Sequence, residues 1–293
     1  MCRINPQIDI AFKKIFGSEE NGDLLLSLIN SVLPADEQIH TIVLKNPYNL
    51  ANYLNDKMSI LDIKATDENG KCYDIEMQIG EQGYFGQRAL YYWGKSYTNQ
   101  LEKSGLYSTL KKCIIISILN FKYFDDPDRY HRVLQIKDRE SNVVEESVDF
   151  LELHFVELPK FSKDISTLKT SLDKWITFLT QADAFEKDSI PAELATMPEI
   201  KKAIEVLDTI YLNNKERQIY DAEQKQLLDE NGKITTALLK GRLEGEMKGR
   251  IEGKLEGKRE GKLETAKKLL EMNMSIETIM QATGLSREDI NNV

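Results

Sequence analysis

The stretch from Met58 to Ile79 leaves the chain little freedom. Two runs of alternating character, Met58–Ala65 and Lys71–Ile79, flank Asp67-Glu68-Asn69-Gly70. Strand-like runs on either side of a turn signal predict a β-hairpin. Glu68-Asn69-Gly70 fits a three-residue loop, a type I turn followed by glycine in the left-handed conformation. Asp67 then faces Lys71, which sets Asp62 across from Glu76 and Lys64 across from Asp74. Side chains alternate along a strand, so one face carries Leu61, Ile63, Ala65, Tyr73, Ile75, Met77 and Ile79. The other carries Asp62, Lys64, Asp74, Glu76 and Gln78. The apolar set is a core face.

Two readings of the polar set stay open. A sheet can turn one face to water, and the polar residues would then be ordinary solvated side chains. Directly opposed carboxylates, however, are unfavourable unless something positive sits between them. Carboxylates ~5 Å apart across a strand pair also suit Mg²⁺, which takes one or two of them and keeps its remaining waters.

The flanking sequence predicts an α/β protein with strands first and helices later. Ile8, Phe12, Ile15 and Phe16 have helical spacing, with Asp9 in the first turn and Gly17 as the stop. A second helix runs through Leu24–Ile29, and a strand is expected at Ile39–Lys45. A long aromatic helix is expected from Tyr84 to Leu101, then a doubly buried strand at Lys112–Leu119 and further strands at Arg132–Lys137 and Val148–Glu157. Helices are expected at Leu172–Leu179, Glu199–Leu212 and Lys215–Asp229. Hydrophobic residues make up 41% of the 293 and charged residues 30%, enough to build a core and too many apolar residues for wholesale disorder. The apolar run near Cys113–Leu119 is far too short to span a bilayer, and Met1–Pro6 has no apolar leader core, so a cytoplasmic location is expected. Cys2, Cys72 and Cys113 are widely spaced and form neither a disulfide framework nor a metal knuckle. His40, His131 and His154 lack ligand spacing and are taken as ordinary sheet or surface residues.

Net charge is −9, yet Lys240–Lys268 holds ten basic and six acidic residues. That tail repeats in fours: Gly241, Gly245, Gly249, Gly253, Gly257 and Gly261. At about 100° per residue the column Leu243, Met247, Ile251, Leu255 lies opposite the glycines, with basic and acidic columns between. Six glycines cost on the order of 5 kcal/mol against alanine, so a lone helix here should fray. A homo-oligomer through this helix, contact with a DNA backbone and a solvated linker are the three readings. Ser275–Ile290 has the outline of a helix-turn-helix but ends too early for a full recognition helix, and Ser286 with Asp289 forms a capping-box pattern.

Asp62, followed on the next strand by Glu76-Met77-Gln78, resembles the PD-(D/E)XK nuclease motif with Gln in place of Lys. Together with Asp9–Gly17 (DIAFKKIFG), Gly70–Gln78 (GKCYDIEMQ), Arg88–Tyr92 (RALYY), Cys113–Leu119 and Leu158–Phe161, the chain is similar to the PD-(D/E)XK-family transposases, or recombination-promoting nucleases, over roughly residues 5–230. The resemblance implies a restriction-endonuclease-like core, a central mixed sheet flanked by helices, with a C-terminal helical extension. It divides the chain into a nuclease core at 1–165, a helical annex at 166–232 and a repeat helix with short C-terminal helices at 233–293. It implies a Mg²⁺-dependent DNA endonuclease, with Mn²⁺ as a substitute, associated with recombination or mobile elements. Asp62 and Glu76 would hold the metal, with the Met77 carbonyl as a third ligand and Asp9 approaching from the first helix. Gln78 stands where the family's Lys orients the nucleophilic water. Lys64, on the same face, would supply the missing cation or else pair with Asp74. Gln87, Arg88 and Lys95 on the following helix, and Lys13, are candidates for DNA phosphate contact. The rival reading is a catalytically weak nuclease-fold module that binds DNA or a protein.

Overall fold

A computed structural model describes residues 4–46, 48, 62–80, 83–101, 105–185, 189–210 and 212–292; for residues 62, 183, 230, 231 and 234 only the backbone is described. The chain divides into two compact units, Met1–Leu228 and Asp229–Val293.

The first unit is built on a mixed six-stranded sheet with the order β1-β2-β3-β4-β6-β5. Its strands are β1 (Ile42–Leu44), β2 (Asp62–Asp67), β3 (Cys72–Gln78), β4 (Cys113–Leu119), β5 (His131–Gln135) and β6 (Leu151–Glu157). β3, β4 and β6 run parallel at the centre, and the outer pairings are antiparallel. β4 reads CIIISIL and is buried at every position, as a parallel strand covered on both faces should be. The first part of the expected Met58–Ala65 strand, residues 58–61, lies outside the described residues.

Helices cover both faces. On one side lie α1 (Asp9–Phe16) and α2 (Gly22–Val32), packed on Ile63, Ala65, Tyr73, Ile75 and Met77. The same core takes in later helices: α4 (Ser171–Gln181), α5 (Ala192–Ala195) and α6 (Pro198–Thr209). Phe16 bridges the early and late helices through an edge contact with Trp175 at 5.3 Å. On the other side α3 (Phe85–Thr98) closes a smaller core of Phe85, Ala89, Ile115, Leu119, Phe121, Leu151, Leu153 and Phe155. Gly17 ends α1 as expected but by a different cause. Its φ is −98°, outside the left-handed region, and a Cβ there would lie 2.7 Å from the Lys13 carbonyl oxygen. Close approach, not positive φ, requires the glycine.

The expected helix Lys215–Asp229 and the glycine repeat form one continuous helix, α7 (Asn214–Glu271). No proline interrupts Lys215–Lys268, and pairs at i,i+4 (Arg242–Glu246 at 2.8 Å, Glu264–Lys268 at 2.8 Å) supply local support. Within the second unit, Leu263, Ala266 and Leu270 of α7 pack with α8 (Ile276–Thr283) and α9 (Arg287–Asn291) around Ile279, Leu285 and Ile290. Ser286 and Asp289 form the expected reciprocal cap of α9.

Candidate active site

The turn of the β2–β3 hairpin fixes the register. Asp67 N–H donates to the Lys71 carbonyl at 3.1 Å, and the Asp67 carboxylate accepts from the amides of Asn69 (2.8 Å) and Lys71 (2.9 Å). Gly70 takes φ +81°, where a side chain would be strained. Asp62 therefore pairs with Glu76, and Lys64 with Asp74, as the turn chemistry predicts.

The polar face of β3 is not solvated. Asp74, Glu76 and Gln78 are 4%, 2% and 6% exposed, buried under α3. The solvated-sheet reading is thereby excluded for these three residues. Arg88 and Ser96 both reach β3 across this layer. Eight residues of helix and four of strand each span about 12–13 Å. Arg88 can thus meet the Gln78–Glu76 end while Ser96 meets Asp74. The Arg88 guanidinium donates through Nη2 to Glu76 Oε1 at 2.7 Å and to Gln78 Oε1 at 2.5 Å. Its flat face lies 4.8 Å from the Phe85 ring centroid and 5.9 Å from that of Tyr92. Ser96 Oγ donates to Asp74 Oδ2 at 3.0 Å.

Other expected site residues are distributed as follows. Asp62 has its backbone opposite Glu76, and its side chain lies outside the described set. Lys64 Nζ sits 3.6 Å from Asp74 Oδ2, the cross-strand ion pair of the second reading. The Met77 side chain points into the α1–α2 core, leaving only its main chain for the site. Asp9 and Lys13 pair with each other at 3.8 Å in α1, the helix whose apolar residues pack in the core with Ile75 and Met77. Gln87 is exposed on α3 and Lys95 half-buried.

Two participants carry weak sequence signals. Ser117 is the β4 partner of Glu76, and its buried Oγ has no hydrogen-bond partner among the described residues. One serine inside CIIISIL is a signal that the apolar reading of the strand passes over. The clasp between Arg88 and Gln78 joins a helix to a strand across a turn, which strand alternation cannot show.

Glu76 and Ser117 offer oxygen donors only, the chemistry of a hard divalent cation, while the Gln78 amide oxygen is taken by Arg88. The unpartnered Ser117 hydroxyl beside a buried carboxylate fits such a group or its water. Among the described side chains no three acidic, histidine or cysteine residues gather as a metal set.

A family model described as PD-(D/E)XK nuclease family transposase matches residues 6–237. A second, described as Rpn/YhgA-like nuclease family, C-terminal HTH domain, matches residues 259–293. The second match spans the end of α7 with α8 and α9, which pack together around Ala266, Ile279, Leu285 and Ile290. No curated protein and no solved structure matches the chain.

Proposed function

The chain belongs to the PD-(D/E)XK nuclease family transposases, and from that premise and its nuclease-type function we propose that it is a metal-dependent DNA endonuclease serving recombination or mobile elements. The observation that carries this reading is the buried Glu76 carboxylate, opposite Asp62 in the hairpin register and clasped by Arg88. Glu76 and Asp62 would hold Mg²⁺, or Mn²⁺ in its place, with the Met77 carbonyl as a third ligand. Asp9, buried in α1, would approach the ion from the first helix. A divalent ion bound there would lower the pKa of a coordinated water and neutralise charge growing on the scissile phosphate.

The chain's own residues then divide the work. Gln78 accepts from Arg88 and donates through Nε2 to the Gly80 carbonyl at 2.9 Å, so both ends of its amide are engaged. In this arrangement Gln78 holds Arg88, and Arg88 supplies the positive charge that a motif Lys would bring. Its two-pronged donor geometry suits a phosphate as well as a carboxylate. Lys64 stands second for that role, since its Nζ already pairs with Asp74. Gln87 and Lys95 would contact the DNA backbone beside the site, with Lys13 a more distant candidate. The helix-turn-helix match suggests a second DNA contact at 259–293. The exposed apolar column of α7 would pair with a second copy of the chain. The segments 1–165, 166–232 and 233–293 would serve as nuclease core, supporting annex, and pairing and DNA-binding arm. We propose a cytoplasmic location; no helix among the described residues is long and apolar enough to cross a membrane.

Plasmid nicking by the purified chain in Mg²⁺, Mn²⁺ and EDTA, with Asp62→Ala and Glu76→Ala alongside, tests the reading. Metal-dependent nicking lost in both variants is expected. DNA binding without any nicking by the unaltered chain would instead establish the non-catalytic module, the alternative favoured by Gln78 at the Lys position.

A further inference from the structure

Cys72 and Cys113 are forty-one residues apart in sequence and direct partners in the sheet. Cys72 opens β3, Cys113 opens β4, and the parallel register pairs them. Main-chain bonds hold both in place: Cys72 N–H donates to the Lys112 carbonyl at 2.9 Å, and Cys113 N–H to the Phe150 carbonyl at 3.0 Å. Both are free thiols on the sheet face that carries Glu76, Cys72 half-buried and Cys113 buried. Gln100, just beyond α3, donates through Nε2 to Cys113 Sγ at 3.1 Å and is itself tied to the main chain of Lys111 at both ends of its amide.

We propose that Cys72 and Cys113 form a peroxide-responsive dithiol site, with Cys72 as the attacking sulfur and Cys113 as the resolving one. The two thiols have unequal surroundings. The neighbouring Cys113 thiol, helped by the positive charge of Lys45 and opposed by burial, lowers Cys72 to about 7. Cys113 is pushed upward by that same interaction with Cys72 and by burial, and keeps its proton. The accessible sulfur is therefore the one that ionises near neutrality, and the thiolate is the nucleophile.

The chemistry closes in two steps. The Cys72 thiolate attacks one oxygen of hydrogen peroxide; an S–O bond forms, the O–O bond breaks, and hydroxide leaves to become water with the proton that Cys72 gave up. Cys113 sulfur then attacks the Cys72 sulfenic acid. An S–S bond forms, the S–O bond breaks, and the hydroxyl leaves as a second water carrying the Cys113 proton. Once Cys72 is a neutral sulfenic acid, the charge that held the Cys113 proton in place is gone, which favours the second step.

Neighbouring strands lie about 4.7–4.9 Å apart, inside the about 4.4–6.8 Å that separates the Cα atoms of bridged cysteines, so the paired residues can close a bridge at the start of β3 and β4. A disulfide at the half-buried Cys72 stays open to exchange with reducing thiols.

The test is hydrogen peroxide treatment of the full chain, followed by alkylation of remaining thiols and peptide mapping. A 2 Da loss located in a Cys72–Cys113 peptide pair and reversed by dithiothreitol is expected. In Cys113→Ser, a sulfenic-acid reagent such as dimedone should label Cys72, and Cys72→Ser should form no intrachain bridge. Both thiols remaining fully alkylatable would overturn the proposal. So would bridging of either thiol to Cys2, or oxidation of Cys72 past the sulfenic stage in the unaltered chain without a bridge. The mapping on the unaltered chain decides the matter even if a serine variant folds poorly.

Discussion

Arg88 is the residue on which the reading of the site turns. Its guanidinium bridges Glu76 and Gln78, so the positive charge beside the acidic motif comes from a helix ten residues downstream of Gln78. Two expectations follow for single residues. Gln78→Lys restores the motif's Lys but sets a second cation against Arg88 beside one buried carboxylate. Nicking by Gln78→Lys should stay level or fall, and a tenfold gain would show that Gln78 limits the rate and that Arg88 does not replace the Lys. The pair is also buried, with Arg88 and Glu76 side chains 19% and 2% exposed. Removing one member of such a pair typically costs about 3–5 kcal/mol, because the other charge is left desolvated. Denaturant unfolding should show Arg88→Gln destabilised by about that much, with part of the loss recovered in Glu76→Gln/Arg88→Gln. A loss in the double variant equal to the sum of the two single losses would mean that the two residues are not coupled. At this scale the sequence was half informative. Turn chemistry and alternation identify Asp62, Glu76 and Gln78 as one face, because those rules are local. The same rules offer Lys64 either as the cation or as the cross-strand partner of Asp74, the pair present at 3.6 Å, and they cannot see α3 folding back over β3.

Among the elements, the hairpin is specified locally and the β5–β6 ladder is not. Gly70 at φ +81° closes the three-residue loop that sets the register of Asp62 against Glu76. An L side chain in the left-handed region costs roughly 1–2 kcal/mol. Gly70→Ala should lower the melting temperature by several degrees while leaving the sheet intact in circular dichroism. The edge ladder holds a buried chain that its sequence did not announce: His131 and His154 look like ordinary sheet residues in the sequence. His131 Nε2 meets His154 Nδ1 at 3.0 Å, His154 Nε2 meets Glu152 Oε1 at 2.6 Å, and Lys112 Nζ lies 2.8 Å from Glu152 Oε2. Burial, then the charge of His154 and of Arg129, lowers His131 from 6.5 to about 4. The unfolded chain takes up that proton as pH falls below about 6.5, and the folded chain only near 4. Between those values the unfolded state binds more protons, so stability rises with pH and is lost on acidification, by roughly 3 kcal/mol at most. Glu152, which burial alone would raise, is held down to about 2 by hydrogen bonds from His154 and Lys112, and adds a further loss below about 4.5. Stability measured from pH 7 to pH 4 should decline from about 6.5 downward, with a shallower decline in His131→Gln over the upper part of that range. An identical profile in the variant would remove His131 as the cause.

For the whole molecule, the open question is what the repeat helix does. Its pattern is plain in the sequence, but its continuity with the preceding helix is not, since α7 begins at Asn214, well before the first repeat glycine. That start is fixed by packing, with Tyr220 and Leu227 buried in the first unit's core, and such contacts lie far apart in sequence. Beyond them the apolar column stays in solvent: Leu243, Met247, Ile251 and Leu255 are 52–66% exposed. The glycines on the opposite side do nothing to stabilise a solitary helix. A four-residue repeat exceeds the 3.6 residues of a turn, so the column drifts by about 40° per repeat. Two such helices would therefore wind around each other with a right-handed sense, and not as a heptad coil. Acidic and basic columns flank the apolar one, which lets a second copy meet opposite charge on both sides. Light scattering of the unaltered chain should report a dimer or larger assembly, and Met247→Lys with Ile251→Lys should give the monomer mass. Both substitutions sit on an exposed surface of the second unit, so the melting of the Met1–Leu228 unit should not move. A monomer for the unaltered chain at tens of micromolar would remove self-pairing as the role of the column. The helix would then be left to carry the 259–293 module on a single charged arm.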